Sequence, residues 1–237
     1  MTGSNKFTVA IILGASLIIS ALVFGLFFYN SRTVDNTIRV VGTATDRFES
    51  DIVKWRLSIS RDTGMTGMKA GYDLINQDME AFRAALTERG FKPEDITVQP
   101  VNTMPYYSDG KQVGYTMMQS VFIISKDIDA IEELALNPGK ITDRDIVFQY
   151  SNLEYYYSEL SEMKLSLLSA ATKDARRRAD EIASGTGDEI GAIQSARTGV
   201  FQITEPYSTE VSDYGIYNVG SRTKDITVTV TVVYTIK

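Results

Sequence analysis

The segment from Phe7 to Tyr29, FTVAIILGASLIISALVFGLFFY, runs for 23 residues without a charged side chain. No other feature of the chain restricts its folding as strongly. As a helix rising 1.5 Å per residue it is about 34 Å long, against about 30 Å of bilayer hydrocarbon. Phe27, Phe28 and Tyr29 suit the interfacial belt at the far end, and Lys6 and Arg32 bracket the segment as snorkelling ends. A cleaved signal peptide needs a shorter apolar run of about 7–15 residues and a small-residue cleavage site. Phe-Phe-Tyr-Asn-Ser offers no such site. The expected organisation is a tail at 1–6, a transmembrane helix at 7–29, a connector at 30–36 and a folded domain at 37–237. One Lys plus the terminal amine on one side face one Arg on the other, so the positive-inside signal is nearly balanced. A short tail left in the cytoplasm is the simple outcome, and it places the folded domain outside.

Two absences bound the chemistry of that domain. The chain has neither cysteine nor histidine, which removes lipoprotein anchoring, disulfides, thiol nucleophiles, Cys/His zinc sites and imidazole bases. Carboxylate, lysine or tyrosine chemistry is all that remains. A net charge of −6 argues against wrapping nucleic acid, which needs clustered cations to displace counterions.

Periodicity sorts the folded part into elements. Thr37 to Thr45 reads as a strand, and Asp51 to Ser60 sets Val53, Trp55, Leu57 and Ile59 on one face, so the two are expected to form a hairpin. Met65, Met68, Tyr72, Ile75, Met79, Phe82 and Leu86 recur at helical spacing and stop at Gly90. This stripe is expected to pack on the domain's own sheet rather than in a coiled coil. Ile96 to Tyr107 and Val113 to Ser125 flank Ser108-Asp109-Gly110, a strong hairpin signal. Asp127 is placed to cap a short helix ending at Asn137-Pro138-Gly139, and Ile146 to Leu153 reads as a strand. A second long helix carries Leu160, Met163, Leu167, Ala171, Ala175, Ala179 and Ile182 on one face and stops at Gly185 and Gly187. A strand from Glu189 to Ile203 and a strongly alternating one from Ile226 to Ile236 complete the chain. The fold class is therefore α+β, with two long helices on an antiparallel-rich sheet. The order strand, long helix, strand, strand occurs twice and reads as a degenerate βαββ duplication.

Several segments together resemble the SIMPL-domain family. Ile38-Arg-Val-Val-Gly-Thr-Ala-Thr is similar to its strand-plus-glycine start, followed by Ser50-Asp51-Ile52 where relatives usually carry Pro-Asp. LTERGFKPEDITVQPVNTMPYY, from Leu86, resembles its helix end, acidic step and Pro-x-Tyr strand. GYTMMQSVFIISKDIDAI, from Gly114, and the Ala-rich helix from Ala170 to Ile193 are similar to later stretches. Ala44 in place of the usual second glycine, and the series Gly64, Gly67 and Gly71, depart from the pattern. The resemblance implies an α+β envelope domain on a bacterial inner membrane, facing the periplasm. Some relatives form homo-oligomeric rings and others are linked to stress tolerance. It carries over no catalytic residues.

Each candidate site has a plain structural rival. The run from Gly64 to Gly71 lies where phosphate loops lie but matches no phosphate-loop pattern, so a flexible start to the helix is expected. Asp127-x-Asp129 and Asp143-x-Asp145 have oxygen ligands but no EF-hand frame, and capping explains them more simply. No metal or other cofactor is expected. Lys173, Arg176, Arg177 and Arg178 form a basic patch that suits an anionic partner, against a salt-laced helix face. Tyr155, Tyr156 and Tyr157, with Tyr207, Tyr214 and Tyr217 on the long loop at 205–221, make a candidate interface or ligand surface. The leading expectation is a non-enzymatic, membrane-anchored scaffold that self-associates, because the last strand lacks Pro and Gly and would need shielding as an edge. The alternative is a binding module for a glycan or lipid on the tyrosine-rich surface.

Overall fold

The computed structural model describes residues 3–31, 36–141 and 144–237. Asp143 of the second Asp-x-Asp pair lies outside the described residues, as do residues 32–35 of the connector. Helix α1, Gly3–Ser31, contains the whole apolar span, every described side chain of which is exposed. It is long and apolar enough to cross a membrane. The chain forms two compact units, one of Met1–Val40, Arg176–Ala196 and Val232–Lys237, the other of Val41–Ala175 and Arg197–Thr231. Four elements, β1 (Thr37–Glu49), α4 (Leu160–Thr186), β6 (Ile190–Thr198) and β9 (Thr223–Ile236), contribute residues to both.

The larger unit holds a four-stranded antiparallel sheet made by β2 (Ile52–Gly64), β3 (Ile96–Ser108), β4 (Lys111–Ser125) and β5 (Val147–Tyr156), in the order β3-β4-β2-β5. Alternation in β2 and β4 puts Trp55, Leu57, Val121 and Ile123 on one face, all 0% exposed. Helix α2, Met68–Glu88, lays Ile75, Met79, Phe82 and Leu86 on that face, joined by Ile131 and Leu134 of helix α3, Ile128–Leu136. The predicted stripe thus packs on its own sheet. Each buried side chain of this size contributes about 1.5–3 kcal/mol. Asp109 and Gly110 take φ of 49° and 74° at the tip of the β3–β4 hairpin, the primed-turn geometry that Asp-Gly favours. Asp127 caps α3 by accepting the Ala130 amide at 3.1 Å. Gly90, at φ 91°, closes α2 as expected.

The second sheet runs β1-β9-β7-β8, where β7 is Gln202–Thr204 and β8 is Ile216–Tyr217, with β6 also on β9. In the larger unit α4 meets this sheet so closely that a Cβ on Gly42 would collide with the Ala171 carbonyl and Ala175. That contact explains the alanines at Ala171 and Ala175, both 0% exposed.

Three expectations need correction. β1 and β2 form no hairpin: β1 pairs with β9 and β2 with β4 and β5, so the strands divide between two sheets. The strand expected from Glu189 to Ile203 is broken into β6 and β7. The last strand is not an edge, because β9 has β1 on one side and β7 and β6 on the other, which removes the main reason for expecting self-association. Four strands, β6 to β9, follow α4 where two, β3 and β4, follow α2, and β5 pairs with β2 rather than with the strands after α4.

Candidate functional site

The loop at 205–221 is built by hydrogen bonds rather than left as a flexible connection. The Asn218 amide donates to the Ile203 carbonyl at 2.8 Å, which sets β8 parallel to β7. The Gln202 side-chain amide donates to the Ser212 carbonyl at 2.7 Å, and Asn218 Oδ1 accepts from the amides of Gly220 and Ser221. Gly215 takes φ 84°, and a Cβ there would sit 2.8 Å from the Phe201 carbonyl. Only glycine fits such a position without strain.

This loop, β7, β8 and the start of α4 enclose a groove of about 650 Å³. Its wall is apolar, from Leu160, Val200, Phe201, Ile203 and Ile216, with Tyr214 and Tyr217 at the mouth. Tyr214 is 98% exposed, so its ring is held in water beside an apolar surface. Burial raises the Tyr217 hydroxyl above its ordinary pKa, keeping it neutral. Lys164 is the one charged residue of the lining, and its ammonium sits 5.4 Å from the centre of the Phe201 ring. No described carboxylate pairs with it. The volume falls in the range of small-molecule sites.

The other candidate tyrosines are elsewhere. Tyr155 is 7% exposed and belongs to the core, where its hydroxyl donates to Glu132 at 2.7 Å. Burial, then that hydrogen bond, pushes the Tyr155 pKa up. Tyr156 donates to Glu154 at 2.9 Å and its ring tilts against Tyr217, 6.2 Å centre to centre. Tyr157 packs on Phe48 at 5.1 Å. Tyr207, at φ 65°, lies under the Arg47 guanidinium and accepts from it at 3.2 Å. The six tyrosines therefore do not make one surface; Tyr214 and Tyr217 form the groove mouth, with Tyr156 behind.

Lys173, Arg176, Arg177 and Arg178 lie along α4, and Arg176 pairs with Asp180 at 3.8 Å. Such an exposed i,i+4 pair contributes about 0.3–0.5 kcal/mol. Asp129, one of the proposed ligand aspartates, is paired with Arg222 at 2.5 Å. Among the described residues no group of three or more acidic side chains is arranged to hold a metal ion. The glycines at Gly67 and Gly71 serve packing: a Cβ on Gly71 would press on Met117.

The family model described as SIMPL, a protein of unknown function (DUF541), matches residues 38–234. The chain belongs to the SIMPL family. No curated protein matches it in sequence. The matched span takes in nearly all of the chain from β1 to β9 and leaves out α1. The groove is thus part of the SIMPL domain, and the apolar helix precedes it.

Sequence reasoning missed the buried charged residues described in this SIMPL domain, Asp78 and Lys224, at 0% and 1% exposure. Both had a signal. Asp78 falls at helical spacing between Ile75 and Phe82, on the apolar stripe of α2, and Lys224 is in phase with Ile226, Val228 and Val230.

Proposed function

We propose that the protein is a membrane-anchored binding module whose SIMPL domain takes an amphipathic, anionic ligand of lipid type in the groove of α4, β7 and β8. The observation that carries this reading is Lys164: an ammonium with no described carboxylate partner, resting on Phe201 in an otherwise uncharged apolar groove. An acyl or aryl body matches the wall, and a phosphate or carboxylate answers the lysine. A glycan would need a fan of hydrogen-bonding groups that the wall does not offer. In this reading α1 tethers the domain to a bacterial inner membrane with the domain outside the cytoplasm, and the link to envelope stress follows from ligand capture.

The test is photo-crosslinking of the full chain in amphipol with a diazirine-bearing acyl phosphate. Crosslinks are expected at 160–164 and 200–217, competed by decyl phosphate and not by maltotriose, with Lys164→Gln weakening binding about tenfold, which is about 1.4 kcal/mol. Crosslinks confined to α1, or equal competition by decanol, would overturn the reading. A reporter active only outside the cytoplasm, fused at Lys237, tests the orientation.

Self-association remains a second reading on different grounds. Strand β6 pairs only with β9 among the described strands, carries no proline, and is exposed over residues 192–198. β3, by contrast, is interrupted by Pro100 and Pro105. A mass of several chains by light scattering, reduced by Ile193→Lys, supports pairing through this edge; an unchanged monomer removes it.

A further inference from the structure

Lys224 is 1% exposed and donates from Nζ to Ser50 Oγ at 2.7 Å and to the Tyr155 carbonyl at 2.9 Å. The Tyr155 ring lies 5.9 Å away. The carboxylates on the surrounding elements are engaged elsewhere. Arg222 holds Glu49, Asp129 and Glu132 at 2.7, 2.5 and 3.3 Å, Glu132 also accepts from Tyr155, and Asp51 accepts from the amide and hydroxyl of Ser158. Lys224 is left without a counter-charge among the described residues. Burial pushes its pKa down to about 8, so roughly a tenth of it is neutral at about pH 7 and about half near pH 8.

Ser50, 4% exposed, lines a cleft of about 480 Å³ together with Lys126, Ile128, Arg222 and the carboxylates of Glu49, Asp51, Asp127 and Asp129. The cap on α3 uses the amides of Ala130 and Ile131, whereas those of Ile128 and Asp129, at the first two positions, have no intrahelical partner. A hydroxyl, an amine base in contact with it and unused N–H donors on one cleft wall are the parts of a serine–lysine acyl-transfer site.

We propose that Ser50 is a nucleophile activated by Lys224, and that the cleft takes a small ester. Lys126, also in the lining, lies near Asp51 and lowers the pKa of that carboxylate. Neutral Nζ accepts the Oγ proton as Oγ bonds to the ester carbonyl carbon. The carbon–oxygen bond to the leaving group breaks, and Nζ returns the proton to the departing oxygen, giving acyl-Ser50 and an alcohol. Water then attacks the acyl carbon, its proton passing to Nζ and on to Oγ as the acid leaves. Nothing is oxidised or reduced.

The test uses the full chain in detergent, incubated with a fluorophosphonate probe and with 4-nitrophenyl acetate, and read by intact mass and peptide mapping. One adduct on Ser50 is expected, absent in Ser50→Ala, formed at least a hundredfold more slowly in Lys224→Met, and rising with pH through about 8 in the wild type. Because Lys224→Met must be folded for its rate to count, a melting transition is recorded alongside. Ser50→Cys gives a second measure, its alkylation midpoint falling below the ordinary thiol value of about 8.5 when Lys224 is present. No adduct on Ser50, labelling that persists in Ser50→Ala, or a rate indifferent to Lys224 in the folded variant would overturn the proposal.

Discussion

Asp78 and Arg144 meet at 2.9 Å across 66 residues of chain, and the same carboxylate takes Arg61 on its other oxygen. Asp78 is 0% exposed on the core face of α2, while Arg61 stands on β2 and Arg144 precedes β5. One acidic residue thus joins a helix, a strand and a connecting segment. Replacing it with alanine removes the carboxylate that ties both cations to the helix, and Asp78→Ala is expected to cost about 2–3 kcal/mol in urea unfolding. Asp78→Leu, which restores volume without charge, should suffer the same loss if the arginines cannot turn to solvent. A change under about 0.5 kcal/mol would show the pairing to be incidental.

The approach of β1 to α4 predicts a steep steric penalty at Gly42. A Cβ there meets backbone of Ala171 and Ala175, which cannot move aside as a side-chain tip can. Gly42→Ala is expected to destabilise the domain by about 1–3 kcal/mol. Gly139→Ala, where a Cβ meets nothing within 4 Å, serves as the control and should leave the melting temperature within about a degree or two.

Lys224 predicts how stability depends on pH. Its folded pKa of about 8 lies below the value of about 10.4 expected in the unfolded chain. Between these values the unfolded chain binds the proton and the folded one does not, so stability rises with pH across that window and the charge is a burden below it. Lys224→Met should remove the rise and stabilise the fold near pH 7 by roughly 1–3 kcal/mol. Denaturant curves at about pH 7, 8.5 and 10 for both proteins check this, and parallel pH profiles would contradict it.

Asp51 works in the opposite direction. Burial alone would raise its pKa, but the hydroxyl and amide of Ser158, its own amide and the Lys126 ammonium together hold it below the ordinary value. Its contribution is present above the unfolded carboxylate pKa of about 4 and is lost as pH falls through the lower folded value. Asp51→Asn should make the acid side of the stability profile shallower below about pH 4, measured by thermal melts from about pH 6 to pH 2.5. An unchanged slope would mean that other carboxylates carry the acid transition.

Gly215 links the loop to the groove. Its positive φ and its approach to the Phe201 carbonyl leave no room for a side chain. Gly215→Val is expected to displace Tyr214 and Ile216, to reduce capture of the acyl phosphate at least tenfold in the folded protein, and to lower the melting temperature, because valine is strained at that φ. Retained capture would place the ligand elsewhere.

The sequence by itself determined the local elements. Helical spacing located α2 and α4, Asp-Gly fixed the β3–β4 turn, Asp127 marked the start of α3, and the apolar run at Phe7 to Tyr29 defined α1. These follow from interactions within a few residues: side-chain period, capping and backbone φ. It also led to the SIMPL resemblance, which rests on the order of such segments. Which strands pair was not legible, because alternation tells a strand which face is buried and nothing about its neighbour. Only the packed structure split β1 from β2, put β9 in the interior of its sheet, and moved Tyr155 into the core while leaving Tyr214 in water. Tertiary packing likewise decided the charges: Lys224 was in phase with the buried valines, and Asp78 with the helix stripe, but the groups that make their burial tolerable come from residues up to 174 positions away.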